Sequence, residues 1–238
     1  YVGTNFWYGP LLGMEGKEGN RQRLCKELDA MHQLGLDNLR ILVGADGDTG
    51  VEDKIAPVLQ TKPGVYNDSI LAGLDYLLAE MSKRKMVAVL YLTNSWEWSG
   101  GYGAYLDWAG KGPVVIPRRD GYGAYTKFAS QFASNQRAHL MLYEHIRYIL
   151  SRTNRYTGVR YVDDPTIMSW QLCNEPRAFS KDALPEFEKW LSEASALIRS
   201  LDSNHLISLG SEGSYGCEFD YGSYERICAD KNIDYCNI

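Results

Sequence analysis

The stretch Trp170-Gln171-Leu172-Cys173-Asn174-Glu175-Pro176-Arg177 concentrates the groups of this chain best suited to chemistry. An apolar run leads into a carboxamide and a carboxylate. Pro176 then turns the backbone out of any sheet, because proline has no N–H for the ladder. A carboxylate at the end of a buried strand is costly unless it is paired or used. If used, Glu175 is a general acid or base with a hydrogen-bonding amide beside it; if not, it is a strand-end glutamate paired with a nearby arginine. Arg40, within Asn38-Leu39-Arg40-Ile41, poses the same question, since an unpaired guanidinium in an apolar strand is unfavourable. Residues 93–124 add tryptophans 96, 98 and 108, tyrosines 102, 105 and 122 with Tyr125 at the margin, and seven glycines. A connection of that length in a compact domain is usually functional, and flat aromatic faces suit stacking on sugar rings. The plainer reading, a loop packed by its own aromatics, is expected for at least half of them.

Other spacings lead nowhere. Asp46-Gly47-Asp48-Thr49-Gly50 begins like a calcium loop, but Pro57 stands where the bidentate carboxylate is needed, which leaves at most a loose calcium contact. Glu144-His145 lacks the H-E-x-x-H spacing, and histidines 32, 139, 145 and 205 form no ligand cluster. The five cysteines (25, 173, 217, 228, 236) contain no C-x-x-C pair, so no zinc site is supported, and Cys217–Cys228 is one conceivable bridge. Lys83-Arg84-Lys85 reads as a solvated helix end that favours the helix dipole.

Elements able to position these residues alternate along the chain. Apolar runs at 2–7, 38–43, 86–92, 166–172, 205–209 and 233–238 read as strands. Between them, 20–34, a helix capped by Asp68, 125–151, 182–201 and 221–229 carry helical periodicity. Strands that alternate with helices and read as continuous apolar runs indicate a helix-covered parallel sheet. The fold class is α/β. A doubly wound sheet would want a glycine fingerprint after its first strand, and Tyr8-Gly9-Pro10-Leu11-Leu12-Gly13 does not supply one. The long connections follow strand C-termini and the short ones follow helix C-termini, so one face carries nearly all the irregular chain. That is the arrangement of a (β/α)8 TIM barrel, here with about six strands and five helices.

Taken together, these segments resemble glycoside hydrolase family 5, most closely its endo-β-1,4-mannanase branch. The resemblance rests on Gly3-Thr4-Asn5-Phe6-Trp7, Asn38-Leu39-Arg40-Ile41, Leu92-Thr93-Asn94-Ser95-Trp96, the stretch 170–177 and Gly210-Ser211-Glu212-Gly213. It implies a retaining glycosidase with two glutamates flanking the scissile bond. Glu175 matches the acid/base, Asn174 the asparagine that bonds the sugar 2-hydroxyl, and Arg40 the arginine that holds the nucleophile carboxylate. Asn5, Trp7, Trp96, Arg177 and Glu212 match substrate-binding positions, Arg177 on the leaving-group side. The nucleophile and a His-x-Trp/Tyr element are expected beyond Ile238. Residues 1–238 then read as the N-terminal portion of a single catalytic domain, with no second domain, cut from a longer polypeptide. The histidine that the wider family often carries near the third strand is replaced here by Tyr91-Leu92-Thr93-Asn94, as in the mannanase-like branch. The expected substrate is a β-mannan-class polysaccharide or oligosaccharide, with no cofactor and no metal, on a monomer. Export to the cell surface, periplasm or medium is implied by the resemblance alone. An endo-β-1,4-glucanase, an exo-β-mannosidase or a non-catalytic carbohydrate-binding barrel stand as alternatives.

Composition agrees with this frame. The 238 residues are 45% hydrophobic and 23% charged, which excludes disorder and disulfide-dense miniature scaffolds. A net charge of −5 gives no basic footprint for nucleic acid. The longest apolar runs, such as 86–92, fall well short of the roughly 20 residues a membrane helix needs, so no membrane partner is expected.

Overall fold

The computed structural model describes residues 2–48, 51 and 54–237. Five strands form one parallel sheet in the order β1 (Val2–Asn5), β2 (Leu36–Leu42), β5 (Val87–Tyr91), β6 (Ile167–Gln171) and β7 (Leu206–Ser208). A small antiparallel hairpin, β3 (Gln60–Lys62) with β4 (Val65–Tyr66), lies in the connection after β2. Period-two alternation on β2 explains the polar residues in it. Leu39 and Ile41 are fully buried, whereas Asn38 and Arg40 face the concave side of the sheet, where both line a cleft with Asn5 and Gln171. Register puts Asn5 beside Arg40 and Gln171 beside Ser208, so the polar side chains of four strands converge.

Helices cover the apolar face. After the short α1 (Gly9–Gly13), α2 (Arg21–Gln33) buries Leu24 and Leu28, and α3 (Asp68–Lys83) buries Leu71, Leu74, Leu78 and Met81. α7 (Gln136–Leu150) contributes Leu142, Ile146 and Ile149, and α8 (Leu184–Leu201) contributes Leu191, Ala194 and Ile198. The chain then forms α9 (Tyr221–Cys228). Asparagine side chains cap three of these helices: Asn20 accepts from the Arg23 amide, Asn67 from Ser69 and Asn135 from Ala138. Among the described residues no helix is long and apolar enough to cross a membrane.

The structure corrects several expectations. Asp68 is the first helical residue, and the cap of α3 is Asn67. Residues 93–124 are not structureless: they fold into α4 (Gly101–Trp108), α5 (Pro117–Asp120) and the start of α6 (Tyr122–Ala129). The expected helix 125–151 is two helices, because Asn135 starts α7 afresh after a 3-10 turn at Ser130–Ser134. Residues 233–237 are not a strand. The Asp234 amide donates to the Ile207 carbonyl (2.9 Å), but the Ile207 amide is taken by the Asp234 carboxylate (2.7 Å), so no ladder propagates; Ile238 lies outside the described residues. The disulfide joins Cys228 to Cys236, and Cys217 is a buried free thiol.

Candidate active site

Beyond β6 the chain keeps the sheet direction for four more residues. The Asn174 amide donates to the Thr93 carbonyl (2.8 Å) and the Glu175 amide to the Gly210 carbonyl (2.9 Å). Glu175 sits at φ +50°, a left-handed conformation that a non-glycine residue adopts only when its surroundings hold it there. The restraints are the Gly210 contact and the Ser95 hydroxyl, which donates to the Glu175 carbonyl oxygen (2.5 Å). Gly210 has to be glycine, since a Cβ there would come within 2.0 Å of the Cys173 carbonyl oxygen.

The Glu175 carboxylate is aimed by Trp96, whose indole Nε1–H donates to Oε2 at 2.5 Å. Trp96 is itself fixed by stacking on Tyr125 (5.7 Å between ring centroids) and by the edge of Phe179 (5.5 Å). The Tyr125 hydroxyl donates to the Ser95 carbonyl, which anchors the same turn.

Asn174 is oriented from both ends of its amide. Oδ1 accepts from Arg40 Nη1 (2.9 Å), and Nδ2 donates to Asn94 Oδ1 (3.0 Å). Arginine can only donate, so the oxygen must face Arg40. Arg40 also donates to Gln171 Oε1 (2.6 Å) and Asn5 Oδ1 (3.3 Å), and it lies 4.1 Å over the Tyr91 ring. Burial lowers its pKa from the usual arginine value, with Tyr91, Cys173 and Glu175 acting against that. Among the described residues its three side-chain acceptors are neutral carboxamides and no carboxylate pairs with it; it faces an open cleft of about 380 Å³ lined by Arg40, Asn174, Glu175 and Glu212. Such a site can hold one carboxylate as proton donor and attract a second anionic group towards Arg40.

Arg177 and Glu212 meet as a forked pair at 2.6 and 2.8 Å. Burial works against the Arg177 charge, but Glu212 outweighs it and raises its pKa. The guanidinium lies 5.1 Å over the Trp96 ring, which ties this pair to the group that holds Glu175. Asn5, Trp96, Arg177 and Glu212 thus gather around Glu175. Trp7 does not: it packs edge-on against Trp98 (5.9 Å) and Tyr8 (5.4 Å) and stays 38% exposed on the rim. Of the loop aromatics, Tyr102, Tyr105 and Tyr125 are buried and Trp96, Trp98 and Trp108 pack on the core, which leaves Tyr122 exposed.

Spacing alone does not reveal Asn94, Ser95, Gln171 and Tyr125 as members of this site. Asn94 is fully buried, accepts from Asn174 and from the Trp96 amide (3.0 Å), and donates to the Ser99 hydroxyl (2.9 Å). Its one visible signal is a polar side chain closing the apolar run 86–92. Of the calcium-like stretch, Thr49 and Gly50 lie outside the described residues. Asp46 is fully buried, with Oδ1 accepting from Gln60 (3.1 Å), and burial pushes its carboxyl up to about 7. Among the described residues no three His, Cys, Asp or Glu side chains group as metal ligands.

A family model for glycoside hydrolase family 5 β-mannosidase-like proteins matches residues 1–238. A mannan endo-1,4-β-mannosidase 4 of Oryza sativa is 35% identical over 158 residues, 66% of this chain and 32% of that protein. The chain therefore spans about a third of that relative's length. A family 5 mannosidase from Rhizomucor miehei, solved in complex with mannosyl-fructose, superimposes with a TM-score of 0.89 at 34% identity, over 98% of this chain and 55% of that one. An endo-1,4-β-D-mannanase from Thermotoga petrophila shares the fold at a TM-score of 0.77 and 22% identity, over 98% of this chain and 66% of its own. The five-stranded parallel sheet with its helical cover is accordingly part of a (β/α)8 barrel, and the chain belongs to glycoside hydrolase family 5, in its β-mannosidase-like group.

Proposed function

We propose that the protein is a retaining glycoside hydrolase acting on internal β-1,4-mannosidic bonds of mannan-type polysaccharides, with Glu175 as acid/base. The observation that carries this reading is the Glu175 carboxylate, held by the Trp96 indole N–H at the cleft beside an Asn174 amide fixed by Arg40 and Asn94. In the first step Glu175 protonates the departing glycosidic oxygen while a second carboxylate attacks the anomeric carbon. In the second step Glu175 takes a proton from water as that water releases the sugar. The nucleophile belongs to a strand later in the barrel than Ile238. A separation of about 5–5.5 Å from Glu175 is what retention requires. Arg40, whose charge is met among the described residues by carboxamides alone, is the group that would hold that nucleophile ionised.

Asn174 has one Nδ2 hydrogen left for the sugar 2-hydroxyl, a bond that strengthens as the ring flattens in the transition state. Arg177 and Glu212 would bind the leaving chain, while Trp96 and Asn5 would line the cleft and Trp7 would stand outside it on the rim. A polymeric substrate would place the enzyme outside the cell.

In the full-length enzyme, Glu175→Gln is expected to lower kcat on mannohexaose by roughly 10²–10⁴-fold, the usual worth of a positioned proton donor, while oligosaccharide still binds. Unimpaired turnover in that variant would overturn the assignment. Product analysis on mannohexaose and cellohexaose decides the finer point: short manno-oligomers mean endo action, mannose alone exo action, and cleavage of cellohexaose a glucanase.

A further inference from the structure

Glu175 is held at two ends, and both holds lead back to one residue of α6. At the side-chain end, the Trp96 indole N–H donates to Oε2 (2.5 Å), and the indole is stacked on the Tyr125 ring at an interplanar angle of 15°. At the backbone end, the Ser95 hydroxyl donates to the Glu175 carbonyl oxygen (2.5 Å), and the Tyr125 hydroxyl donates to the carbonyl of the same Ser95. Ser95 and Tyr125 are both fully buried. The strands that lead into Ser95 and Glu175, β5 and β6, each have a neighbour on either side in the described sheet. The arrangement therefore belongs to the interior of the sheet and to neither of its edges.

The two holds resist different motions. The stacked indole sets the direction of the carboxylate. The Ser95 hydroxyl bears on a backbone at φ +50°, which a glutamate leaves for the ordinary regions once it is released. That hydroxyl reaches the Glu175 carbonyl only while its own backbone stays in place. The Ser95 amide is fixed by donating to the Asn174 carbonyl (3.1 Å), and the Ser95 carbonyl is fixed by a hydroxyl 30 positions further along the chain. Burial raises the Tyr125 pKa well above its ordinary value, so the phenol keeps its proton and stays a donor. A buried carbonyl that loses such a donor is left unsatisfied, which makes the tie costly to break.

We propose that Tyr125 is a positioning residue for the acid/base. Its hydroxyl, acting through Ser95, keeps the Glu175 backbone in the left-handed conformation that presents the carboxyl group to the departing glycosidic oxygen, and its ring backs the indole that aims that group. This rests on the function proposed above. The role lies in proton donation, so its loss shows where the leaving oxygen needs a proton. A sugar alkoxide needs one, whereas a dinitrophenolate departs as the anion.

The test uses the full-length enzyme and takes the ratio of kcat/KM on mannohexaose to kcat/KM on a dinitrophenyl β-mannobioside. Tyr125→Phe keeps the stacked ring and removes only the hydroxyl, and it is expected to lower that ratio by roughly 5–50-fold, through the hexaose. Ser95→Ala breaks the next link and should lower the ratio to a similar degree. The double variant should fall no more than about twofold below the lower single, because the two bonds act in series. A ratio unmoved in Tyr125→Phe, even with both substrates slowed together, overturns the proposal and leaves Tyr125 a packing group. Losses that multiply in the double variant overturn it as well. Glu175→Gln is the reference: unimpaired hexaose turnover there sinks the proposed function, while the expected loss there with none in Tyr125→Phe sinks only the present proposal. The crystal structure of Tyr125→Phe decides the tie without any turnover. Glu175 Oε2 displaced by more than about 0.5 Å, the tolerance of a productive site, supports it, and a smaller displacement overturns it.

Discussion

Asn94 holds two working groups with one oxygen: its Oδ1 accepts from the Asn174 side chain and from the Trp96 backbone. The first bond sets the Asn174 amide proposed to meet the sugar, and the second starts the turn that carries the indole on Glu175. In the full-length enzyme, Asn94→Ala should therefore act through both neighbours without itself touching substrate. Small misplacements of reacting groups cost rates on the order of 10²-fold, so kcat on mannohexaose is expected to fall roughly 10–100-fold. KM should move by less than about threefold, because the Arg177–Glu212 pair is held by its own fork and makes no bond to Asn94. A stability loss of about 1–3 kcal/mol is also expected from the buried partners left unsatisfied, to be read separately by thermal melting. A loss confined to melting, with normal kcat in the folded enzyme, would make Asn94 structural only. Glu175 and Asn174 are legible in the sequence because charge and amide break an apolar run just where proline ends it. Asn94 ends a similar run, but its role depends on a bridge to a residue 80 positions away, which spacing cannot reveal.

The turn from α8 into β7 carries its own electrostatic latch. Asp202, buried, accepts from the Trp170 indole N–H (2.7 Å) and from His205 Nδ1 (2.6 Å), so that it fixes strand β6 to the start of β7. Burial works against the Asp202 charge, but hydrogen bonds from His205, Trp170 and the Asn204 and His205 amides prevail and hold its carboxyl down to about 2. Burial likewise opposes protonation of His205, and Asp202 more than offsets it, so the histidine is raised. The signs follow from linkage. The Asp202 contribution is present above its unfolded value near ~4 and is lost as pH falls through its folded value; that of His205 is full below its unfolded value near ~6.5 and is lost as pH rises through its folded value. The latch is thus strongest between roughly pH 4 and 6.5. His145 opposes the trend, since burial pushes it down to about 4 and it destabilises the fold as pH falls below its unfolded value. The measurement must therefore be a difference: wild-type Tm minus His205→Gln Tm, followed across pH. That difference should be largest between about pH 4 and 6.5 and shrink towards pH 8; a flat difference would remove the ionic part of the latch. At this scale the alternation of strand and helix is legible, because the two periods are written in side chains that face one core. What periodicity misses is set by single hydrogen bonds: the Asn135 cap that divides one apolar stripe into α6 and α7, and the Asp234 carboxylate that takes the amide a further strand would need.

Across the described residues, the Asp75 cluster and the candidate site occupy opposite ends of the sheet, as barrels of this kind commonly separate stability from chemistry. Glu175 stands where the chain leaves β6, and the segment that enters β6 is tied by Asp75 of α3. This carboxylate is fully buried and receives both prongs of Arg152 (2.9 and 2.6 Å), the Tyr161 hydroxyl (2.6 Å) and Arg155 Nε (3.2 Å). The Asp75 carbonyl also accepts from Asn154 (2.9 Å), so one helix residue fastens four residues some 80 positions later. Removing the anion strands a half-buried guanidinium and a buried hydroxyl, a change that typically costs about 3–5 kcal/mol. For a domain of this size each kcal/mol moves Tm by roughly 2–4 °C, so Asp75→Ala is expected to melt about 6–20 °C lower. The kcat of the enzyme still folded at 25 °C should stay within about twofold of the wild type, because among the described residues none that lines the cleft bonds to this cluster. Replacing both partners by apolar residues of similar shape, Asp75→Leu with Arg152→Met, should recover most of the loss, since a buried pair exchanged as a unit leaves no stranded charge. A Tm drop below about 2 °C in Asp75→Ala, or a double variant no better than the single, would show that the tie contributes little and that the apolar packing of α3 alone holds this end of the barrel.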